Sequence, residues 1–223
     1  FLEAKFLIRL IYVNYDNFIL NVNYISLHFI EGLYYMANMF PKKFEGKIKS
    51  EEFVYNKIRE TFPSTIDAYY SVKFINDNKD KIDGECDFVL IDKNRGITYI
   101  EVKGGKEVGA IKRGDRSVFY TIPNFKENKE YSSNPYDQAY DAMYSIKQKI
   151  NNLIKDKSKE LSTKLFRRII VFPGTNNLIY LEQLRNYHKD RTATKDDFEN
   201  FFEFYQKIWN EKYKITPAQL KII

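Results

Sequence analysis

Residues 84–105 read GECDFVLIDKNRGITYIEVKGG, and this stretch decides the fold. Two runs of alternating side chains flank the turn-rich letters DKNRG, which predicts a β-hairpin. If Ile91 pairs with Ile97, the same register sets Asp87 directly across from Glu101. Like charges at opposed positions destabilise a strand pair, and a divalent cation would reverse that penalty. The hairpin therefore predicts a metal site at the end away from its turn.

Composition describes an ordinary soluble globular chain with an anionic partner. Of the 223 residues, 43% are hydrophobic and 30% are charged, which excludes a disordered chain. A net charge of +6 and a pI near 9.0 favour nucleic acid as the partner, although a generally basic proteome would give the same charge. No apolar run reaches the roughly 20 residues of a membrane span, so we expect no membrane partner and a cytoplasmic location.

Several chemistries lack the residues they need. Cys86 is the only cysteine, which excludes an internal disulfide and a cysteine zinc site. Its position between two acids predicts a buried side chain on the face opposite them. Only His28 and His188 could form a histidine site, and they lie far apart in sequence. The chain has no P-loop motif.

Three segments are expected along the chain. Residues 1–35 form an N-terminal extension that we interpret as lying outside the native domain, because Met36 is a plausible start. An interfacial or capping helix is the competing interpretation of this segment. Residues 36–190 form the main domain. Residues 191–223 hold a C-terminal helix and the start of a further domain, with Thr216 and Pro217 opening a motif similar to the adenine-reading glutamine motif of superfamily one helicases. A terminal helix of a complete domain is the competing interpretation.

The first helix of the body carries an acid on its apolar side. Ser50 is expected to cap it, and Pro63 to close it. Glu51 shares a face with Val54, Tyr55 and Ile58 at helical spacing. Such a glutamate either interacts with the helix dipole or serves as a metal ligand. Because an acidic strand is expected nearby, both interpretations stay open.

The rest of the body alternates strands and helices. Tyr69–Ile75 is a candidate first strand, Asn134 and Pro135 start a second helix, and the run from Arg167 is typical of a buried strand. Thr194 starts a final helix with a capping-box-like pattern. The apolar positions of these two helices are expected to be core, namely Ala139, Ala142, Met143, Ile146, Ile150 and Leu153 in one and Phe198, Phe201, Phe202, Tyr205, Ile208 and Trp209 in the other.

A basic stretch follows the hairpin. Its cations are Lys106, Lys112, Arg113 and Arg116. Beside a phosphodiester site these side chains would bind backbone phosphates. A solvated loop is the alternative interpretation.

The order of these elements resembles the PD-(D/E)xK nucleases and, more narrowly, the nuclease-related domain over about residues 48 to 180. Five short motifs carry the resemblance, namely Glu51-x-x-Val54, Gly84-Glu85-x-Asp87-x-Val89, Gly96-Ile97-x-x-Ile100-Glu101-Val102-Lys103, Asn134-Pro135-x-x-Gln138-Ala139 and Ile170-Val171-Phe172-Pro173. Ser50 stands where the family usually has glycine, and Lys106 where an aromatic often sits. The implied fold is α/β, a restriction-endonuclease-like core with a central mixed β-sheet flanked by helices.

The resemblance also implies a mechanism, with Mg²⁺ or Mn²⁺ as cofactor and DNA as the expected substrate. Asp87, Glu101 and the backbone carbonyl of Val102 would bind the metal, and Lys103 would assist the attacking water. By the same resemblance, Glu51 would join the metal shell or hold a second ion, and Gln138 would position Lys103 or a phosphate. A helicase module in the same polypeptide is the further partner implied.

Two other readings of the same residues stay open. The chain could be a nucleic-acid-binding module that keeps the nuclease fold without cleaving. It could also be a structural hairpin whose acids face solvent, with Glu101 and Lys103 as an ordinary surface pair.

Overall fold

The structure is a computed structural model that describes residues 36–75, 82–154, 160–209 and 215–216. The predictions for residues 1–35 and for the motif that continues past Thr216 fall outside the described residues.

A mixed six-stranded sheet forms the centre of the described domain. Its strands run in the spatial order β1-β2-β3-β4-β8-β10, with β2, β3 and β4 antiparallel and the pairs β1–β2, β4–β8 and β8–β10 parallel. The strands are β1 Asn38–Phe40, β2 Ile66–Ile75, β3 Ile82–Asp92, β4 Gly96–Val102, β8 Phe166–Val171 and β10 Thr192–Ala193. The predicted central mixed sheet is confirmed.

The hairpin of β3 and β4 has the predicted register. Ile91 pairs with Ile97, and the ladder runs to Phe88 and Ile100. The regular pairing ends there, one residue short of Asp87 and Glu101. On its other side β4 pairs with β8 from Ile97 to Val102, and Ile170 is the partner of Glu101.

Helices cover both faces of this sheet. They are α1 Lys49–Thr61, α2 Pro135–Leu153, α3 Lys195–Glu199 and α4 Phe201–Ile208. On one face, α1 and α4 pack against Phe88, Leu90 and Ile100. On the other, α2 packs against Val89 and Tyr99. Alternate residues of each strand thus feed two separate hydrophobic cores, as the strand pleat requires.

Three details differ from the sequence predictions. The cap of α1 is Ile48, not Ser50, and it makes no side-chain capping bond, because the helix begins two residues earlier than expected. Leu153 is exposed, since α2 ends there and Ile154 fills the core in its place. The final helix is interrupted at Asn200, although the capping box of Thr194 and Asp197 is present as predicted.

The basic stretch after the hairpin belongs to a second sheet that the sequence did not predict. This sheet runs β7-β6-β5-β9, and its strands are β5 Glu107–Arg113, β6 Arg116–Ile122, β7 Glu130–Ser132 and β9 Leu178–Ile179. Gly114, with φ of +61°, opens the two-residue turn between β5 and β6. Val108, Ala110 and Phe119 pack this sheet onto the start of α2.

No helix in the described part of the chain is long and apolar enough to cross a bilayer.

Candidate active site

The first carboxylate of the site is Asp87, held against the neighbouring strand. Its Oδ2 accepts a hydrogen bond of 2.7 Å from the backbone N–H of Val102. This bond joins β3 to β4 one step past the regular ladder. It fixes the Asp87 carboxylate beside the residue that follows Glu101.

Glu101 and Lys103 form the second part of the site. Only 3% of Glu101 is exposed, and its Oε1 lies 2.9 Å from Nζ of Lys103. Strand β4 is buried along its whole length. The residue after it, Lys103, donates its backbone N–H to the Val171 carbonyl of β8. The buried carboxylate rules out the reading in which Glu101 and Lys103 are an ordinary surface pair.

Glu51 supplies a third carboxylate from the first turn of α1. It lies on the buried face with Val54, Tyr55 and Ile58, as predicted, and 8% of it is exposed. The Tyr70 hydroxyl donates a 2.7 Å hydrogen bond to its Oε2. The first turn of α1 packs close to Gly104, just after the end of β4. The space beside Gly104 is so narrow that an added Cβ would lie 3.1 Å from the Ser50 hydroxyl.

Burial and mutual repulsion perturb all three carboxyl groups. Burial, with Glu101 nearby, raises the pKa of Asp87 to about 8. Burial also raises the pKa of Glu101, although Lys103 opposes that shift, and it raises the pKa of Glu51. The raised pKa values mean that the positive charge near these carboxyl groups is too small to offset the cost of ionising them.

The donor set suits a hard divalent cation. Carboxylate and carbonyl oxygens are the ligands that Mg²⁺ and Mn²⁺ take, usually one or two carboxylates with several waters. In the described residues, no three acidic, histidine or cysteine side chains are close enough together to hold one ion. The carboxylates of Asp87 and Glu101 and the Val102 carbonyl are oxygen donors of the kind that these ions take, and they are the groups that could hold one here.

The family model described as the nuclease-related domain matches residues 46–173. The chain belongs to the nuclease-related domain family. The match covers α1, both strands of the hairpin, α2 and β8, so the sequence resemblance is confirmed over nearly the expected range. Membership indicates a nuclease-related function. No curated protein and no solved structure matches the chain.

The four basic residues after the hairpin are not one cluster in this nuclease-related domain. Lys106 lies three residues beyond Lys103, at the start of β5. Lys112, Arg113 and Arg116 are exposed at the far end of the β5–β6 hairpin. At about 3.4 Å per residue, the length of β5 separates them from Lys106 by about 20 Å. The three form what we call the hairpin tip.

Gln138 lies in the first turns of α2, as predicted. Its Oε1 is buried, and no described residue donates a hydrogen bond to it. The next residue, Ala139, packs in the same cluster as Ile170, the β8 partner of Glu101. Among the described residues, no hydrogen bond links Gln138 to Lys103.

The nuclease-related domain also has polar neighbours that sequence analysis missed. Tyr70 holds Glu51, and the hydroxyl of Ser71 donates to Glu85. Ser71 has φ of +57°, a strained conformation for a residue that is not glycine. It lies between Tyr70 and Val72, whose partners flank Asp87 on β3. These residues reach the site because β2 pairs with β3. The sequence of β2 contains no motif from which this position could be predicted.

Cys86 is buried, as predicted. It packs in the cluster of Val89 and Ile91, so the alternation of β3 is interrupted between Cys86 and Phe88. The interruption lies opposite the strained Ser71.

Proposed function

We propose that this chain is a metal-dependent nuclease domain that hydrolyses phosphodiester bonds of DNA. The observation that carries the proposal is the acidic pair of half-buried Asp87 and buried Glu101, with Lys103 beside it. Repulsion between like charges that are shielded from water is unfavourable, and a neutral side chain at either position would remove it. The presence of both acids therefore points to a catalytic use for the pair. The nuclease relationship of residues 46–173 supports the same conclusion.

Asp87, Glu101 and the Val102 carbonyl would hold Mg²⁺ or Mn²⁺. When bound, such an ion polarises the phosphodiester and lowers the pKa of water. The chain supplies the rest. Lys103, whose ammonium group reaches the Glu101 carboxylate, orients the attacking water or stabilises the charge that develops on phosphorus.

Other residues support this centre. Tyr70 fixes Glu51 so that its carboxylate faces the acidic pair rather than solvent. Gln138 offers its amide to Lys103 or to a phosphate oxygen. Lys106 contacts the backbone next to the cut, and the hairpin tip contacts it farther along. A helicase module in the same polypeptide and a cytoplasmic location remain predictions.

Nicking of supercoiled plasmid by the full chain in Mg²⁺, in Mn²⁺ and in EDTA tests the proposal. We expect cutting only with a metal, and loss of at least about a hundredfold in Glu101→Gln and in Lys103→Met. Glu52→Gln is the matched control, because Glu52 is the exposed neighbour of Glu51. Metal-dependent cutting that survives Glu101→Gln would refute the assignment. Salt-sensitive DNA binding without cutting would favour the non-cleaving module instead.

A further inference from the structure

A second feature lies at the outer edge of the six-stranded sheet, two strands from Glu101. A cavity of about 590 Å³ lies against β10, the last strand of that sheet. Its volume falls within the range of about 300–1,000 Å³ of small-molecule sites. The lining side chains used below are Tyr187, Lys189, Asp190, Thr192, Thr194, Asp197 and Phe204.

Strand register ties this cavity to the active site. Glu101 of β4 pairs with Ile170 of β8, and Ile170 pairs with Thr192 of β10. Two strand spacings of about 4.8 Å place Thr192 about 10 Å from Glu101 in the same row. The three strands are parallel, so their carboxyl ends meet at one edge, where open α/β sheets bind ligands.

The cavity offers groups suited to a nucleoside. Tyr187 and Phe204 present two aromatic rings, on which a base can stack. The hydroxyl protons of Thr192 and Thr194 are already donated, to the His188 carbonyl and to Asp197. The polar groups that remain for a ligand are the exposed Lys189 and Asp190, the Tyr187 hydroxyl and Oδ1 of Asp197, since Thr194 binds Oδ2 of that carboxylate.

The charges of these groups assign the parts of the ligand. The carboxylates of the exposed Asp190 and the half-buried Asp197 would repel a phosphate beside them, but they can accept hydrogen bonds from base amino groups or a sugar hydroxyl. The exposed Lys189 can pair with a phosphate. A base and sugar against the carboxylates, with one phosphate on Lys189, match this charge pattern better than a phosphate against the carboxylates.

We propose that this cavity binds a nucleoside of the substrate strand close to the phosphodiester that is cut. The base stacks on Tyr187 or Phe204, and Lys189 contacts its phosphate. The inference rests on the proposed nuclease function for the identity of the strand. It implies a substrate with an unpaired base near the cut, since a base inside a duplex cannot enter a cavity.

Photo-crosslinking tests the proposal without any cleavage. Single-stranded oligonucleotides carrying 5-iodouracil at successive positions are irradiated with the full chain in EDTA, and the crosslinked peptides are mapped. We expect crosslinks at Tyr187 or Phe204. Crosslinks confined to other surfaces, such as the hairpin tip, would overturn the proposal.

Matched variants add a binding measurement. Tyr187→Leu should weaken oligonucleotide binding about tenfold, because stacking on that ring is lost, whereas Tyr187→Phe should restore it. Tyr144→Leu, an exposed tyrosine of α2 outside the cavity, is the control. Lys189→Ala changes an exposed side chain, so it tests the phosphate contact with no loss of core packing, and Lys195→Ala is its control. Unchanged affinity in both Tyr187→Leu and Lys189→Ala would contradict the proposal.

The two proposals fail separately. If plasmid is nicked but neither crosslinks nor affinity involve the cavity, the nucleoside site is wrong and the nuclease stands. If the cavity crosslinks but nothing is cut, the nucleoside site stands and the nuclease is wrong.

Discussion

At the scale of single residues, the site is a set of carboxyl groups placed where they cannot easily be charged. The N–H of Val102 donates a hydrogen bond to the Asp87 carboxylate, but burial and the repulsion from Glu101 prevail and raise the pKa of Asp87 to about 8. In water its pKa would be about 3.9. The difference means that the fold is less stable whenever Asp87 is ionised and no cation is bound.

The first prediction is the pH dependence of Asp87→Asn. Between about pH 4 and pH 8 the folded protein holds a proton on Asp87 that the unfolded chain has released. Stability from this group is therefore full below pH 4 and is lost as the pH rises through 8. Asparagine has no such dependence, so the variant should gain on wild type across this window, by up to about 1.4 kcal/mol per pH unit.

Urea unfolding in EDTA at several pH values measures this gain. Asp67→Asn serves as the control, because Asp67 lies in the neighbouring strand β2 and pairs with Ile91, four residues along β3 from Asp87. A constant stability difference from pH 4.5 to 8.5 would show that Asp87 is not the titrating group.

The second prediction uses the metal as a ligand of the folded state. A cation that binds only the folded protein stabilises it by about 2.7 kcal/mol at a concentration of a hundred times its Kd. Mg²⁺ and Mn²⁺ should therefore raise the melting temperature of wild type at pH 8. Asp87→Asn and Glu101→Gln should lose most of that rise, and Glu52→Gln should keep it. Equal shifts in all four proteins would indicate binding elsewhere.

Sequence reasoning reached the core of this site because strand register is a local property. Once Ile91 faces Ile97, counting residues places Asp87 and Glu101 at the same end of the hairpin, one step past the last regular pair of Phe88 and Ile100. Tyr70 could not be found in this way. Its contact with Glu51 depends on how α1 packs across β2, and that packing involves residues far apart in the chain.

At the scale of elements, the β5–β6 hairpin is the part that sequence patterns did not reveal. Only Val108, Gly109 and Ala110 of β5 are buried, and its last three residues are exposed. A strand buried over half its length shows no alternation of polar and apolar residues, so its charged half resembles a loop. The hairpin tip is ordered in part by Arg113, whose guanidinium carbon lies 3.7 Å from the centroid of the Tyr131 ring.

The third prediction concerns this hairpin tip. If Lys112 and Arg116 each contact one phosphate, their replacement by glutamine should weaken DNA binding about equally for all sequences. It should also reduce the slope of log affinity against log salt by about one per residue. Fluorescence anisotropy over a salt series measures both effects. Lys93→Gln, at the exposed turn between β3 and β4, should leave the slope unchanged. A slope that stays the same in all variants would exclude the tip from the DNA contact.

At the scale of the whole molecule, the C-terminal helix holds the hairpin from the side opposite α2. The Trp209 indole donates a 3.1 Å hydrogen bond to the Thr98 hydroxyl. The Tyr205 hydroxyl donates one of 3.2 Å to Asp92 at the hairpin turn, across 113 residues of sequence. The stripe of aromatic residues in α3 and α4 predicted that these side chains are buried, but it did not predict which residues they pack against. Its partners follow from the folded topology, in which α4 packs beside α1.

The last prediction is the effect of losing Asp92. This carboxylate is fully buried and accepts hydrogen bonds from the Asn94 N–H, the Arg95 guanidinium and the Tyr205 hydroxyl. Asp92→Ala leaves Arg95 without its buried partner, so it should lower the free energy of unfolding by about 3 kcal/mol. Tyr205→Phe removes one hydrogen bond and should cost about 1 kcal/mol.

Urea unfolding provides the measurement, with Asp115→Ala as the control, because Asp115 is the exposed turn aspartate of the other hairpin. Asp92 lies five residues along β3 from Asp87, a separation of about 17 Å at the usual rise per residue. Nicking per folded molecule should therefore stay near the wild-type rate in Asp92→Ala, whereas Glu101→Gln should lose nicking and keep stability. If Asp92→Ala were as stable as Asp115→Ala, the buried network would not be what fastens α4 to the hairpin.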